Sequence, residues 1–318
     1  MRLLRTIALG LFALCYCACK EKETSAAEPK LDSSGTPFAH TANILSFGPR
    51  PAGSKEAQEV RNYVTSVLKK AGWTVGTQKT QAETPIGPKT FTNLIARFPA
   101  TPASDPWKSK IDGLLCAHLD SKYYPDKRFL GADDAASACG LILTLAQELA
   151  QEPSRASRLE LIFFDGEEAF TENMGPQPSG IFDGLYGSLA YAKRWQNTRN
   201  KPSFGILLDM VGHKDLSIKV PSDSPPQLVA VMNRAVQKTG HTAHFGMAQS
   251  QILDDHVPLN NIGIPTIDLI GDFQRSNWWH TPKDNLDIIS PESLAISCLL
   301  YTSPSPRDQR GSRMPSSA

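Results

Sequence analysis

The alternation of apolar and polar positions is sharpest at LELIFFDGEEAF (159–170), where a run rich in Leu, Ile and Phe stops at Gly166 and delivers Asp165, Glu167 and Glu168 at one place. A short continuous apolar run bounded by a turn residue has the form of a strand buried on both faces, although periodicity alone also admits a buried helical segment. We read it as a central strand. The same form recurs in IDGLLCAHLD (111–120), in FGILLDMVG (204–212) with Asp209 near its end, and in IPTIDLI (264–270). Helical spacing lies between these runs. Val60, Val64, Val67 and Leu68 form a stripe behind a Ser54 cap and ahead of Gly72, and Leu141, Leu145 and Leu149 share a face with Asp133 or Asp134 at the helix start. LYGSLAYAKRW and residues 226–239 read as further helices, WTVGTQKT and FTNLIARF as an antiparallel pair, and NMGPQPSGIFDG as a loop.

Strands alternating with helices predict an α/β fold, a three-layer α/β/α sandwich with a mixed, largely parallel central sheet. In such sheets ligands bind beyond the carboxyl ends of the strands. Asp120, the 165–168 acids and Asp209 all fall at those ends, so the polar groups converge.

The ends of the chain differ from its middle. MRLLRTIALGLFALCYCAC carries Arg2 and Arg5 ahead of an apolar stretch and Ala18 before Cys19, the form of an export signal over residues 1–18. Ala18-Cys19 ahead of a polar segment resembles a lipoprotein processing site, with Cys19 as the lipidated anchor, although Tyr16 stands where an aliphatic residue is usual; an ordinary signal peptide is the alternative. Residues 19–37 read as a flexible tether, 38–300 as the catalytic domain, and 301–318, rich in Ser, Pro and Arg, as a disordered and non-native tail. The expected location is therefore outside the cytoplasm, with membrane contact only through a lipid anchor. A net charge of +1 argues against nucleic-acid binding through bulk electrostatics.

Carboxylates are rarely buried without a partner, which raises the question of what the converging acids hold. His118, Asp134, Glu168, Asp209 and His280 form a nitrogen and oxygen set suited to zinc, dispersed along the chain as catalytic ligands are. Taken singly, Asp134 has a plain reading as an N-cap, His118 as a core histidine and His280 as a loop residue; their coincidence at successive strand ends favours a metal site. His118 and Asp120 share a strand face, so Asp120 is placed to orient the imidazole. With Glu168 on the metal, adjacent Glu167 is left as an unligated proton shuttle, with Asp254 as a second acid within its reach. No Ser/His/Asp signature and no glycine-rich phosphate loop competes.

HLDSKYY, GADDAA, LIFFDGEEAF, LYGS, ILLDMVG, DDHVPL and WWHTPKDNLD, in that order, resemble the glutaminyl cyclases, a branch of the zinc-aminopeptidase-like fold. The resemblance implies Asp134, Glu168 and His280 as ligands of one zinc ion, Glu167 as general acid/base, Asp209 and Asp254 in its hydrogen-bond network, and Trp279 as a wall of the substrate pocket. It matches His118 to a ligand of the second metal in dizinc aminopeptidases. The implied reaction closes the N-terminal glutamine of peptides or proteins to pyroglutamate with loss of ammonia, in a monomer.

Three departures accompany the resemblance. The segment between EEAF and LYGS is long and lacks the tryptophan of the animal enzymes, and Asp268 stands where they carry a histidine. Cys139 matches one partner of a disulfide near their site while Cys116 is one position out of register, leaving a Cys116–Cys139 bridge and two buried thiols equally open. A dizinc aminopeptidase, which would bind two zinc ions, and a catalytically silent peptide-binding domain are the competing functions.

Overall fold

The computed structural model describes residues 31–302. The export signal, Cys19 and the tail beyond Thr302 lie outside the described residues. In chain order the elements are α1 (Pro37–Ser46), α2 (Lys55–Lys70), β1 (Thr74–Ala82), β2 (Lys89–Arg97), β3 (Gly113–His118), α3 (Ala138–Leu149), α4 (Pro153–Ala156), β4 (Leu159–Phe164), β5 (Gly175–Pro176), β6 (Phe182–Asp183), α5 (Tyr186–Trp195), β7 (Phe204–Asp209), β8 (Ile218–Val220), α6 (Pro226–Thr239), β9 (Phe245–Met247), α7 (His256–Asn261), β10 (Thr266–Gly271) and α8 (Pro291–Thr302).

Eight strands form one mixed sheet in the order β1-β2-β4-β3-β7-β10-β8-β9. Its centre is parallel: β3 runs with both β4 and β7, and β7 with β10. β1 and β2 form the expected antiparallel pair, and β2 is also antiparallel to β4. The register sets the site, because His118 pairs with Phe164 and Asp209 with Ile270, so the polar residues that end or follow these strands emerge along one edge.

Two apolar layers cover the sheet. Leu115, Ala117, Leu161 and Phe163 face the layer that holds Leu68, Leu141 and Leu145, while Leu114, Cys116, Ile162 and Phe164 face Tyr191 and Leu259. The α2 helix is capped as its sequence predicts, Ser54 Oγ accepting from the Ala57 amide at 3.0 Å.

Three expectations need correction, and one open alternative is resolved. The tether does not run to residue 37: Asp32 donates its amide to Asn43 Oδ1 and Thr36 caps α1, so the fold begins earlier than the first large apolar residue suggests. Neither Asp133 nor Asp134 caps α3. Both sit in an irregular turn, Ala132–Ser137, in which Asp134 has φ −101° and ψ 85°. NMGPQPSGIFDG is not wholly loop, since β5 and β6 pair within it. Finally, Cys116 and Cys139 are free thiols. Strand alternation sends Cys116 to the α5 side of the sheet, whereas Cys139 packs from α3 on the opposite side and donates its thiol to the His118 carbonyl at 3.0 Å.

Candidate active site

The turn after β4 shows how the chain assembles the site. Gly166 has φ +80°, and a Cβ there would meet the Phe91 ring at 2.2 Å, so glycine is required. The buried Asp120 carboxylate then accepts the amides of Gly166, Glu167 and Glu168 at 2.9, 3.2 and 3.3 Å. Asp120 Oδ1 is also 3.7 Å from His118 Nδ1, so the residue assigned to orient the imidazole chiefly anchors the acid-bearing turn. Asp165 is engaged elsewhere: its Oδ2 pairs with Arg61 on α2 at 3.2 Å and accepts the Thr92 amide at 2.6 Å.

Asp134 stands between two imidazoles. Its Oδ2 is 3.5 Å from His280 Nε2, which is also 3.4 Å from Glu168 Oε1. Its Oδ1 is 3.1 Å from His118 Nε2, which is 3.3 Å from Asp209 Oδ1. Two ligand-like triads therefore share one carboxylate, Asp134/Glu168/His280 and His118/Asp134/Asp209. Tetrahedral ligands at roughly 2.0–2.2 Å from an ion lie about 3.3–3.6 Å from one another, close to these spacings. Glu168 Oε1 and both His118 nitrogens are buried without a directed hydrogen bond, so the donors are arranged for something other than each other.

The charges are strongly perturbed. Burial works against the ionised Asp134, but its close contacts with His118 and His280 outweigh it and hold the carboxyl below its usual range. Burial also opposes protonation of His280, yet Glu168 and Asp134 lift the imidazole to about 9. Burial pushes Glu167 well above the carboxylate range; His118 pulls it back, while Glu168, Asp254 and Asp255 add to the rise. Glu167 Oε2 lies 3.9 Å from His118 Nδ1, and Glu167 belongs to neither triad.

A cavity of about 260 Å³ opens over Glu167, Glu168 and His280 and reaches Asp209 and Asp254. Trp279 forms part of its wall and stacks on His280, with ring centroids 3.9 Å apart. Met174 and Asn173 line it from the segment that lacks the expected tryptophan. Next to Asp254 lies Asp268, fully buried, with both carboxylate oxygens lacking a directed hydrogen bond. Burial, then Asp254 and Asp209, raise Asp268 well above the carboxylate range. The neighbouring imidazole comes instead from His256 at the start of α7, its Nδ1 3.6 Å from Asp268 Oδ2.

Sequence reasoning missed several supporting groups. Asp284 Oδ1 and Oδ2 accept the amides of Asp133 and Asp134 at 2.7 and 3.2 Å, tying the ligand-bearing turn to the stretch after His280. Lys122 is buried, with Nζ 3.4 Å from Glu168 Oε2 and donating to the Ala169 carbonyl at 3.0 Å. Arg50 is fully buried and donates to the carbonyls of Leu119, Leu130 and Gly131. Lys122 and Arg50 both lie in polar motifs, HLDSK and FGPRPAGS, where a buried cation is the available signal.

An α/β sandwich with paired carboxylate and imidazole ligands at the carboxyl ends of parallel strands defines a metallo-exopeptidase-like class. The pattern of peptidase family M28 matches residues 93–300. The glutaminyl-peptide cyclotransferase of Drosophila melanogaster is 31% identical over 283 residues, covering 80% of this chain and 76% of its own. Among solved structures, an Acidobacteriales bacterium glutaminyl cyclase aligns with a TM-score of 0.72 at 27% identity, covering 87% of this chain and 96% of that one. A Zn-dependent exopeptidase from Parabacteroides distasonis aligns with a TM-score of 0.71 at 27% identity, covering 86% and 97%. The chain belongs to peptidase family M28 and, within it, to the glutaminyl-peptide cyclotransferase branch.

Proposed function

We propose that this chain is a zinc-dependent glutaminyl-peptide cyclotransferase, an acyltransferase that converts the N-terminal glutamine of exported peptides or proteins to pyroglutamate. The observation that carries the reading is Glu167, an unligated acid next to the ligand Glu168 and facing a small cavity. Asp134, Glu168 and His280 would hold one zinc ion, which supplies Lewis-acid polarisation of the glutamine side-chain carbonyl. The cavity holds the glutamine folded back so that its own α-amine approaches the amide carbon. Glu167 takes the proton from the attacking amine and returns it to the departing nitrogen; the new N–C bond forms, the old one breaks and ammonia leaves. The neighbouring acids and burial raise the proton affinity of Glu167, which suits it to receive that proton. Trp279 closes the apolar side of the pocket.

The inner triad His118/Asp134/Asp209 supports a second reading, a dizinc aminopeptidase. Mass spectrometry of a Gln-initiated peptide separates the two. Loss of one ammonia, abolished by chelation and by Glu167→Gln, supports cyclisation, whereas release of the whole first residue with two bound zinc ions supports the aminopeptidase. Zinc binding with no change in the peptide would defeat both. The basic and apolar N-terminus with Cys19 supports an exported, lipid-anchored protein, tested by membrane fractionation of the wild type against Cys19→Ser.

A further inference from the structure

Two further hollows are linked to the catalytic cavity through shared lining residues. Ile252, Phe273 and Gln274 line both the cavity and a small hollow of about 110 Å³, whose lining also includes Met247. Gly271, Asp272 and Arg275 then join that hollow to a larger one of about 560 Å³. Trp278 and His213 are stacked in the larger hollow, with ring centroids 5.1 Å apart at 16°.

The larger hollow is lined by three cations and three acids that differ in exposure. Lys214, Arg275 and Lys283 line it, all three exposed, and none forms an ion pair among the described residues. Of the acids present, Asp272 pairs with Lys219 at 3.5 Å and buried Asp133 accepts the Gly212 amide at 2.7 Å, which leaves Asp215 as the opposing charge. Among the exposed lining groups this is three cations to one acid, in a chain with a net charge of only +1.

Resting on the cyclotransferase reading, we propose that the larger hollow is a recognition subsite for an acidic side chain at the third or fourth position of the peptide, with the second residue laid over Phe273, Ile252 and Met247. The reach fits. Consecutive Cα atoms are 3.8 Å apart, so the Cα of Arg275 lies within about 7.6 Å of that of Phe273, and an extended peptide advances about 3.3–3.6 Å per residue. The apolar stretch suits a hydrophobic second residue, and Met247, half exposed, has surface for it to cover.

The test compares kcat/KM on one sample of the full chain for Gln-Leu-Glu-Glu-Ala-amide and Gln-Leu-Lys-Lys-Ala-amide. Their ratio is independent of how much of the protein is folded. The acidic peptide should be favoured by about threefold to tenfold at low salt, with the preference shrinking at about 0.5 M salt. Arg275→Glu and Lys214→Glu should each lower the ratio, and together invert it. Equal values for the two peptides, or a ratio unchanged in the double variant, would overturn the subsite. Binding of the same peptides, fluorescently labelled, to Glu167→Gln runs in parallel. If neither peptide is cyclised, the activity reading fails while the acidic-to-basic binding ratio still decides the subsite.

Discussion

The two triads that share Asp134 use almost the same donors and differ in access. His280 in the outer triad is 18% exposed and lines the cavity, whereas His118 in the inner triad is 1% exposed and lies beneath it. Burial opposes protonation of His118, but Glu167, Asp120, Asp134 and Asp209 outweigh it and raise the imidazole well above its ordinary range. A proton on His118 therefore neutralises part of the buried acid cluster from within, where a second cation would otherwise do so. The comparison teaches that donor spacing alone does not decide the occupant. Access and local charge differ between the triads, the outer group of candidate ligands lining the cavity and the inner one lying where a proton on His118 offsets the acids.

The largest effect that would break this division comes from removing each imidazole in turn. His280→Ala should abolish zinc binding and turnover, whereas His118→Ala should retain one zinc per chain by elemental analysis. Two zinc ions in the wild type, falling to one in His118→Ala, would mean that the inner triad holds a metal. The outer imidazole also sets a pH signature. In the metal-free protein His280 titrates near 9 against 6.5 for a free histidine. Its folded value is raised, so its contribution to apoprotein stability is complete below 6.5 and is lost as pH rises through 9. Zinc must displace that proton, so affinity runs the other way and should climb by up to about tenfold per unit until about pH 9. A flat affinity across that window would remove His280 from the ligand set.

The same distinction between local pattern and long-range placement explains what the sequence discloses. His118, Glu167, Glu168 and Asp209 were legible because each follows an apolar run, and a run buried on both faces in a parallel sheet must end where ligands bind. Asp165 was misread because its partner, Arg61, lies on a helix far away in the chain, and nothing local marks which way a single acid in a tight turn will face. Asp134 has the flanking residues of an N-cap but a non-helical backbone held by Asp284, a contact across most of the domain. The choice left open between a Cys116–Cys139 bridge and two thiols turns on which side of the sheet α3 covers, and alternation gives only the parity of Cys116. Strands β8 and β9, three residues each, and the short α7 carry too little periodicity to announce themselves.

Asp284 offers a sharper test of how far the outer triad depends on its supports. Its carboxyl bonds two successive amides, and burial, then Asp134 and Asp133, raise it well above the carboxylate range. Asp284→Asn keeps the shape but replaces one acceptor oxygen by a donor that meets an amide N–H. The Asp134 turn should loosen, lowering zinc affinity by about 10- to 100-fold, as loss of an outer partner of a metal ligand typically does. If competition against a chelator finds the affinity unchanged, the turn is held by other contacts, with Arg50 and its bonds to Leu130 and Gly131 the next to examine.

The smallest effect belongs to Trp279, which touches only the outer triad. Its indole stacks on His280 and packs against Phe273 with ring centroids 4.7 Å apart, yet it remains 37% exposed. A ring so placed adds contact area for the substrate and limits rotation of the ligand imidazole, but donates nothing to the ion. Loss of one aromatic contact is worth about 0.5–1.5 kcal/mol, so Trp279→Ala should raise KM by about 2- to 12-fold. Zinc content should stay at the wild-type value, because the bonds of the metal ligands do not pass through the indole. A fall in kcat with KM unchanged would instead mean that the stacking positions His280 for the chemical step, making the aromatic wall part of the outer triad's geometry.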